Sequence, residues 1–164
     1  PKVTIVEFAD FLCPHCKVLA APLHNFILRH PGVRLIYKPF PLDGTCNDEI
    51  PNKGDGLRCE LAYATLCAEK LAKKGWQVHE YVFEHQSQWN GFNFEGDLQK
   101  MESLFGLDSA AMKSCRQSIE TVQTVRKLAA EGKGIQGTPS LFLNGKELPR
   151  GAFLPVLEAA VSTF

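Results

Sequence analysis

The chain has 164 residues, 45% hydrophobic and 22% charged, and its eighteen basic and eighteen acidic side chains leave a formal net charge of +0. This is enough chain for one domain with a sizeable core, or one domain carrying an insertion. The balance excludes a basic nucleic-acid-binding surface and an acidic tail, and no apolar run approaches the ~18 residues needed to span a bilayer.

Pro1 is followed directly by what reads as a core strand, with no signal peptide, so the chain is expected to be a mature or trimmed domain cut from something longer. Residues 3–8 (Val-Thr-Ile-Val-Glu-Phe) are β-branched and apolar apart from Glu7 and predict a buried central strand. Glu7 admits two readings. It faces solvent at a sheet edge, or it is a buried acid with a raised pKa that accepts a proton, through water, beneath a reactive sulfur.

Five residues after Val6 comes Phe11-Leu12-Cys13-Pro14-His15-Cys16, and a helical pattern begins at once. Two thiols this close at a helix start can close a small ring and be reopened. A helix N-terminus favours negative charge on the first sulfur, and His15 adds a donor beside it. Lys17 either supports the same charge or is simply solvated. Val18, Leu19, Leu23, Phe26 and Ile27 carry the helix to about Arg29. Pro14 suits the first turn, Pro22 predicts a kink, and His30-Pro31-Gly32 stops the helix. His24 and His30 read as exposed, satisfied side chains.

Residues 33–40 predict a second strand, parallel to the first in a right-handed βαβ unit. Turn formers fill 44–57. Helical stretches follow at approximately 58–74, 76–88, 95–104, 108–117 and 118–131, with Asp97 and Asp108 as caps for the third and fourth. The first is expected to bury Leu57, Leu61, Ala64, Leu66, Ala68 and Leu71. Ser140-Leu141-Phe142-Leu143, Asn144-Gly145 and Lys146-Glu147-Leu148 predict a hairpin, and Phe153 to Val161 a final amphipathic helix. The fold class is α/β.

Six cysteines (Cys13, Cys16, Cys46, Cys59, Cys67 and Cys115) are many for a cytosolic protein of this size. The even count points to disulfides and an oxidising compartment. The alternative is that four of them are free, buried and inert.

Cys13-Pro14-His15-Cys16 after a strand, Gly137-Thr138-Pro139 before one, and the helical block between them resemble the thioredoxin fold in its DsbA-like form, over essentially the whole chain. The resemblance implies a thioredoxin-fold core at 1–43 and 132–164 with a helical insertion at 44–131. It implies a thiol–disulfide oxidoreductase without cofactor or metal, with Cys13 as exposed nucleophile, Cys16 as buried partner, and Pro14 and His15 between them. Glu7 matches the family's buried acid. Pro139 would be a cis-proline facing the dithiol, and Thr138 would present backbone groups to a substrate chain.

Pro41-Leu42-Asp43 with Cys46-Asn47 and the later cysteines is similar to family members fused to membrane proteins of the vitamin K epoxide reductase family. The implied partners are cysteine-containing substrate proteins and a membrane quinone reductase of the vitamin K epoxide reductase or DsbB kind. The expected setting is periplasmic and the expected state monomeric. Four remaining cysteines allow three pairings. Cys46–Cys59, closing the loop before the insertion, and Cys67–Cys115, tying two insertion helices, are favoured, with Cys46–Cys59 alternatively a shuttle pair.

The expected direction is oxidation of substrates, because a helix terminus and His15 stabilise the reduced form. A reductase or isomerase is the alternative in the same class. A zinc module is disfavoured because Cys13 and Cys16 lack a second matching pair. A non-catalytic thioredoxin-fold domain is disfavoured by the intact dithiol. His79 and His85, with Trp76, Tyr81 and Trp89, either line a peptide groove or belong to the insertion's core and surface.

Overall fold

The structure, a computed structural model, describes residues 2–151 and 153–162. The limits of the expected core at 1 and 164 lie outside them. Strand β1 (Val3–Ala9) leads into α1 (Pro14–Arg29), and β2 (Val33–Pro39) runs parallel to β1 in register from Val3 opposite Val33 to Ala9 opposite Pro39. Five α-helices follow: α2 (Leu57–Ala72), α3 (Gly75–Glu84), α4 (Phe94–Leu104), α5 (Ser109–Gln117) and α6 (Ile119–Ala130), with a 3-10 turn over Gln86–Gln88. The chain then returns as β3 (Ser140–Leu143), β4 (Lys146–Glu147) and α7 (Phe153–Val161).

The sheet has the order β2-β1-β3-β4. Because β3 pairs antiparallel on the far side of β1, placing Glu7 opposite Leu141, β1 is internal. Both of its faces are covered, which explains its nearly continuous apolar sequence. Asn144 and Gly145 both take positive φ, 48° and 86°, as a tight hairpin turn with right-handed twist requires. The Asn144 side chain also accepts from Thr4 N at 2.8 Å, pinning the hairpin to β1.

Helix α1 buries Cys16, Leu19, Leu23 and Phe26, one stripe at helical spacing. It continues through Pro22, which withholds one backbone hydrogen bond from an exposed face. In α2 the buried side is Leu57, Cys59, Leu61, Ala62, Tyr63, Ala64, Cys67 and Ala68, whereas Leu71 is exposed. Asp97 is not a cap: Asn93 holds that position and Asp97 lies in the first turn of α4. Asp108 caps α5 by accepting from Ala111 N at 2.9 Å, and Ser118 caps α6 by accepting from Thr121 N.

Two disulfides brace the helical block. Cys46–Cys59 ties the loop after β2 to α2, and Cys67–Cys115 ties α2 to α5. With separations of 13 and 48 residues, loop-closure entropy gives about 3 and about 4 kcal/mol of stabilisation. The same loop is organised by buried Asp43, whose carboxylate accepts from Thr45 N, Gly54 N and Gly56 N. Burial opposes its ionisation, but these N–H donors outweigh it and hold its pKa at about 2.

Ala9, Phe11, Cys13 and Cys16 share one apolar cluster with Leu57, Leu61 and Ala64 of α2 and Val82 and Phe83 of α3. A second cluster, including Ile5, Leu23, Phe26, Leu141 and Leu157, fills the space between the sheet, α1 and α7. The two free thiols therefore sit where the insertion helices meet the sheet.

Candidate active site

Cys13 is the N-cap residue of α1 and Pro14 its first helical residue; the first turn contains no acidic side chain. His15 is exposed beside them and Cys16 turns inward onto the core. Both cysteines are free. The Cys13 thiol donates to the Thr138 carbonyl at 3.6 Å, and Cys16 Sγ accepts from Asp10 N at 3.5 Å. The Thr138–Pro139 peptide bond is cis. It lies 125 residues away in sequence from Cys13, at the start of β3, and brings a backbone carbonyl to the sulfur.

Cys13 is not the exposed residue expected: only 7% of its surface is accessible. Thr138 covers it on one side. On another, Gln86 Nε2 donates to the carbonyls of Phe11 and Cys13 at 2.8 and 2.9 Å. Burial pushes the Cys16 thiol far above its ordinary range, chiefly through loss of hydration.

Glu7 is 2% exposed and β1 is internal, which rules out the edge position, and α1 and α3 cover the face that carries it. Burial raises its carboxyl pKa from 4.5 to about 8. The side chain lines a cavity of about 280 Å³ between β1, α1 and α3, together with Lys17, His24, His79 and Glu80. Across the strand pair it neighbours Tyr37, whose hydroxyl donates to Ala9 O at 3.1 Å and is itself pushed upward by burial and by the nearby acids and thiols.

Asp10 is a central residue that sequence reasoning missed. Its carboxylate accepts from Leu12 N and Leu42 N, both at 2.6 Å, and from Arg58 Nη1 at 2.8 Å, while its own carbonyl accepts from Cys13 N at 3.2 Å. It thus holds the turn before Cys13 and clips α2 to the core. Asp10→Asn removes the charge from a buried, fully paired site and should cost about 3 kcal/mol, measurable by urea unfolding. Arg58→Gln should cost less, because about a third of the Arg58 side chain is exposed. Equal losses in the two variants would contradict this account. The signal for Asp10 was an acid at the strand end, and nothing local distinguished it from a turn residue.

His79 and His85 do not line a groove beside the dithiol. His79 is buried edge-on among Phe11, Tyr37, Trp76 and Phe83, and burial lowers its pKa to about 3. His85 stacks on Tyr81, and Trp89 is a core residue donating to Val82 O. His24 faces Glu80 at 3.0 Å, and His30 faces Glu158 at 3.4 Å. Four of the six cysteines are bonded in pairs, which removes them as zinc ligands.

A dithiol at a helix N-terminus, facing a cis-proline loop across a thioredoxin-type sheet, defines a domain built for thiol–disulfide exchange. The chain belongs to the DSBA-like thioredoxin domain family, whose family model matches residues 4–161. It is 25% identical over 166 residues to Na(+)/H(+) antiporter NhaA 3 of Salinispora tropica, covering 97% of this chain and 22% of that protein. It is 26% identical over 155 residues to disulfide bond formation protein D of Bacillus subtilis, covering 88% of this chain and 64% of that one. The chain therefore spans about a fifth to two thirds of the length of these relatives. The thiol-disulfide exchange protein alpha-DsbA2 from Wolbachia pipientis has the same fold, with a TM-score of 0.79 at 19% identity over 98% of this chain and 81% of that one. No helix among the described residues is long and apolar enough to cross a membrane.

Proposed function

We propose that the chain introduces disulfides into cysteine-containing proteins by exchange through Cys13 and Cys16. A substrate thiolate attacks Cys13 Sγ of the protein disulfide, the Cys13–Cys16 bond breaks, and Cys16 leaves with the electron pair and takes up a proton. The substrate's second thiolate then attacks its own sulfur in the mixed disulfide and expels Cys13, so the substrate dithiol is oxidised and the protein disulfide reduced. Glu7 is the proton acceptor and donor beneath Cys16. Thr138 and Pro139 offer backbone to the substrate chain, and Pro14 and His15 shape the reactive turn.

The observation that carries the oxidising direction is Cys13 as the N-cap of α1 with no acidic side chain in the first turn. A sulfur anion formed there is stabilised by the helix terminus, with no counterpart in the disulfide form. Within this reading, residues 1–43 and 132–164 form the catalytic core. The insertion, 44–131, supplies Gln86 and Arg58 to hold the turn before Cys13.

Two structural disulfides suit an extracytoplasmic setting such as the periplasm. Electrons collected on Cys13 and Cys16 must leave, and a membrane quinone reductase of the vitamin K epoxide reductase or DsbB kind suits that role. Relatives that carry a matching stretch within membrane antiporters support work at a membrane surface. The domain acts as a monomer in this scheme.

Equilibration against glutathione, read by trapping thiols, tests the direction. The Cys13–Cys16 couple is expected above about −180 mV, on the oxidising side of protein disulfide isomerase, and a value near the about −270 mV of thioredoxin would assign it to reduction instead.

A further inference from the structure

We propose that Arg150 makes this site prefer substrates carrying a carboxylate side chain close to the cysteine they present. The proposal rests on the exchange reading above and adds a chemical class of substrate to it. A groove of about 650 Å³ runs beside the dithiol, walled by Val18, Leu19, Pro22, Phe153 and Leu154. His15, Thr138 and Pro139 form its head, and Thr138 O is the atom that holds the Cys13 thiol. Val18 is 73% exposed, so the apolar wall is open to a chain laid along it.

Among the lining residues, only His15 and Arg150 carry ionisable side chains. Arg150 is exposed on the turn after β4. Its guanidinium packs against Gly137: a Cβ on that residue would lie 2.6 Å from Nη1 and 2.8 Å from Nη2. The glycine thus lets a cation rest on the backbone immediately before Thr138 and Pro139, within the segment that faces the reactive sulfur.

Among the described residues no carboxylate pairs with Arg150. Glu147 lines a second pocket together with Arg150 but forms no ion pair with it. A planar guanidinium without a partner is suited to bidentate capture of a carboxylate. A segment seated in the groove with Asp or Glu near its cysteine meets this cation, whereas one with Lys or Arg meets like charge. Apart from His15 at its head, the groove's lining offers no other ionisable group.

The test uses the oxidised protein and three peptides with two cysteines each, identical except for Glu, Gln or Lys two residues before the first cysteine. Second-order oxidation rates, normalised to peptide thiolate concentration, should favour Glu over Lys about fivefold at low salt, the size expected of one exposed ion pair. The ratio should fall toward one at about 1 M salt, where screening is nearly complete. R150E should invert it. G137A, which displaces the guanidinium while keeping the charge, should collapse it. A ratio near one in the unaltered protein at low salt, or one that R150E leaves unchanged, overturns the assignment while oxidation of all three peptides upholds the exchange reading. Failure to oxidise any peptide would instead refute the exchange reading, and this inference with it.

Discussion

Cys13→Ser is expected to reduce oxidation of a two-cysteine peptide to the uncatalysed rate, whereas Cys16→Ser, supplied with a one-cysteine peptide as its mixed disulfide with glutathione, should exchange through Cys13 and hold the peptide there. The asymmetry comes from position. Cys13 caps α1 and bonds to Thr138 O at the head of the groove, while Cys16 has no exposed surface and receives Asp10 N. In the proposed mechanism substrate therefore meets Cys13, and Cys16 serves as the internal leaving group and resolving thiol. In Cys16→Ser the Cys13 thiolate attacks the peptide's sulfur and expels glutathione thiolate, and with neither Cys16 nor a second peptide thiol to displace the peptide the adduct persists and is visible by mass spectrometry. A Cys13→Ser protein with full activity, or a Cys16→Ser protein that traps substrate on no residue, would remove the dithiol from the mechanism.

Glu7→Gln is expected to make the protein more stable at neutral pH and slower in exchange. The folded carboxyl titrates at about 8 instead of 4.5, because ionisation inside the sheet forfeits hydration. Below pH 4.5 the group is protonated in both folded and unfolded chains and carries no linked cost. Between 4.5 and about 8 the unfolded chain releases the proton while the folded chain keeps it, so the neutral acid's contribution to stability is lost as pH rises through this window. At about 1.4 kcal/mol per pH unit the loss reaches about 3 kcal/mol by pH 7 and about 5 kcal/mol above pH 8.

Glutamine has the shape of the neutral acid and does not titrate. Urea unfolding of the variant and the parent should therefore agree near pH 4.5 and diverge by about 3 kcal/mol at pH 7, with the variant the more stable. Parallel pH curves would show that Glu7 is not the titrating group. Exchange should slow because, in the proposed mechanism, Cys16 leaves as a thiolate that burial disfavours, and glutamine cannot give it a proton.

Much of the fold was legible because the signals are local. Alternation and β-branching mark the strands, the stripe from Cys16 to Phe26 marks α1, and Asn144-Gly145 marks the hairpin. Helix boundaries drifted where capping competes: α3 ends at Glu84 because Gln86–Gln88 tighten into a 3-10 turn that sends the Gln86 side chain to the carbonyls of Phe11 and Cys13. Gln86, Arg58 and Asp10 escaped notice for one reason. The contacts that tie them to the site from other elements span 32 to 75 residues of chain, and no local pattern encodes such distances.

The sequence by itself determined that two thiols stand at the start of a helix after a strand, since proline placement, helical periodicity and cysteine spacing are properties of neighbouring residues. It also determined the α/β order and the helical block between the second and third strands. Only the tertiary structure decided that Glu7 is buried, that Cys13 is covered, and that Arg150 stands at the groove beside Pro139. Burial and electrostatic environment belong to whatever packs against a residue. For Glu7 that is the layer of α1 and α3 over the face of β1 that carries it, and α3 belongs to a block the chain reaches only after leaving the β1–β2 pair.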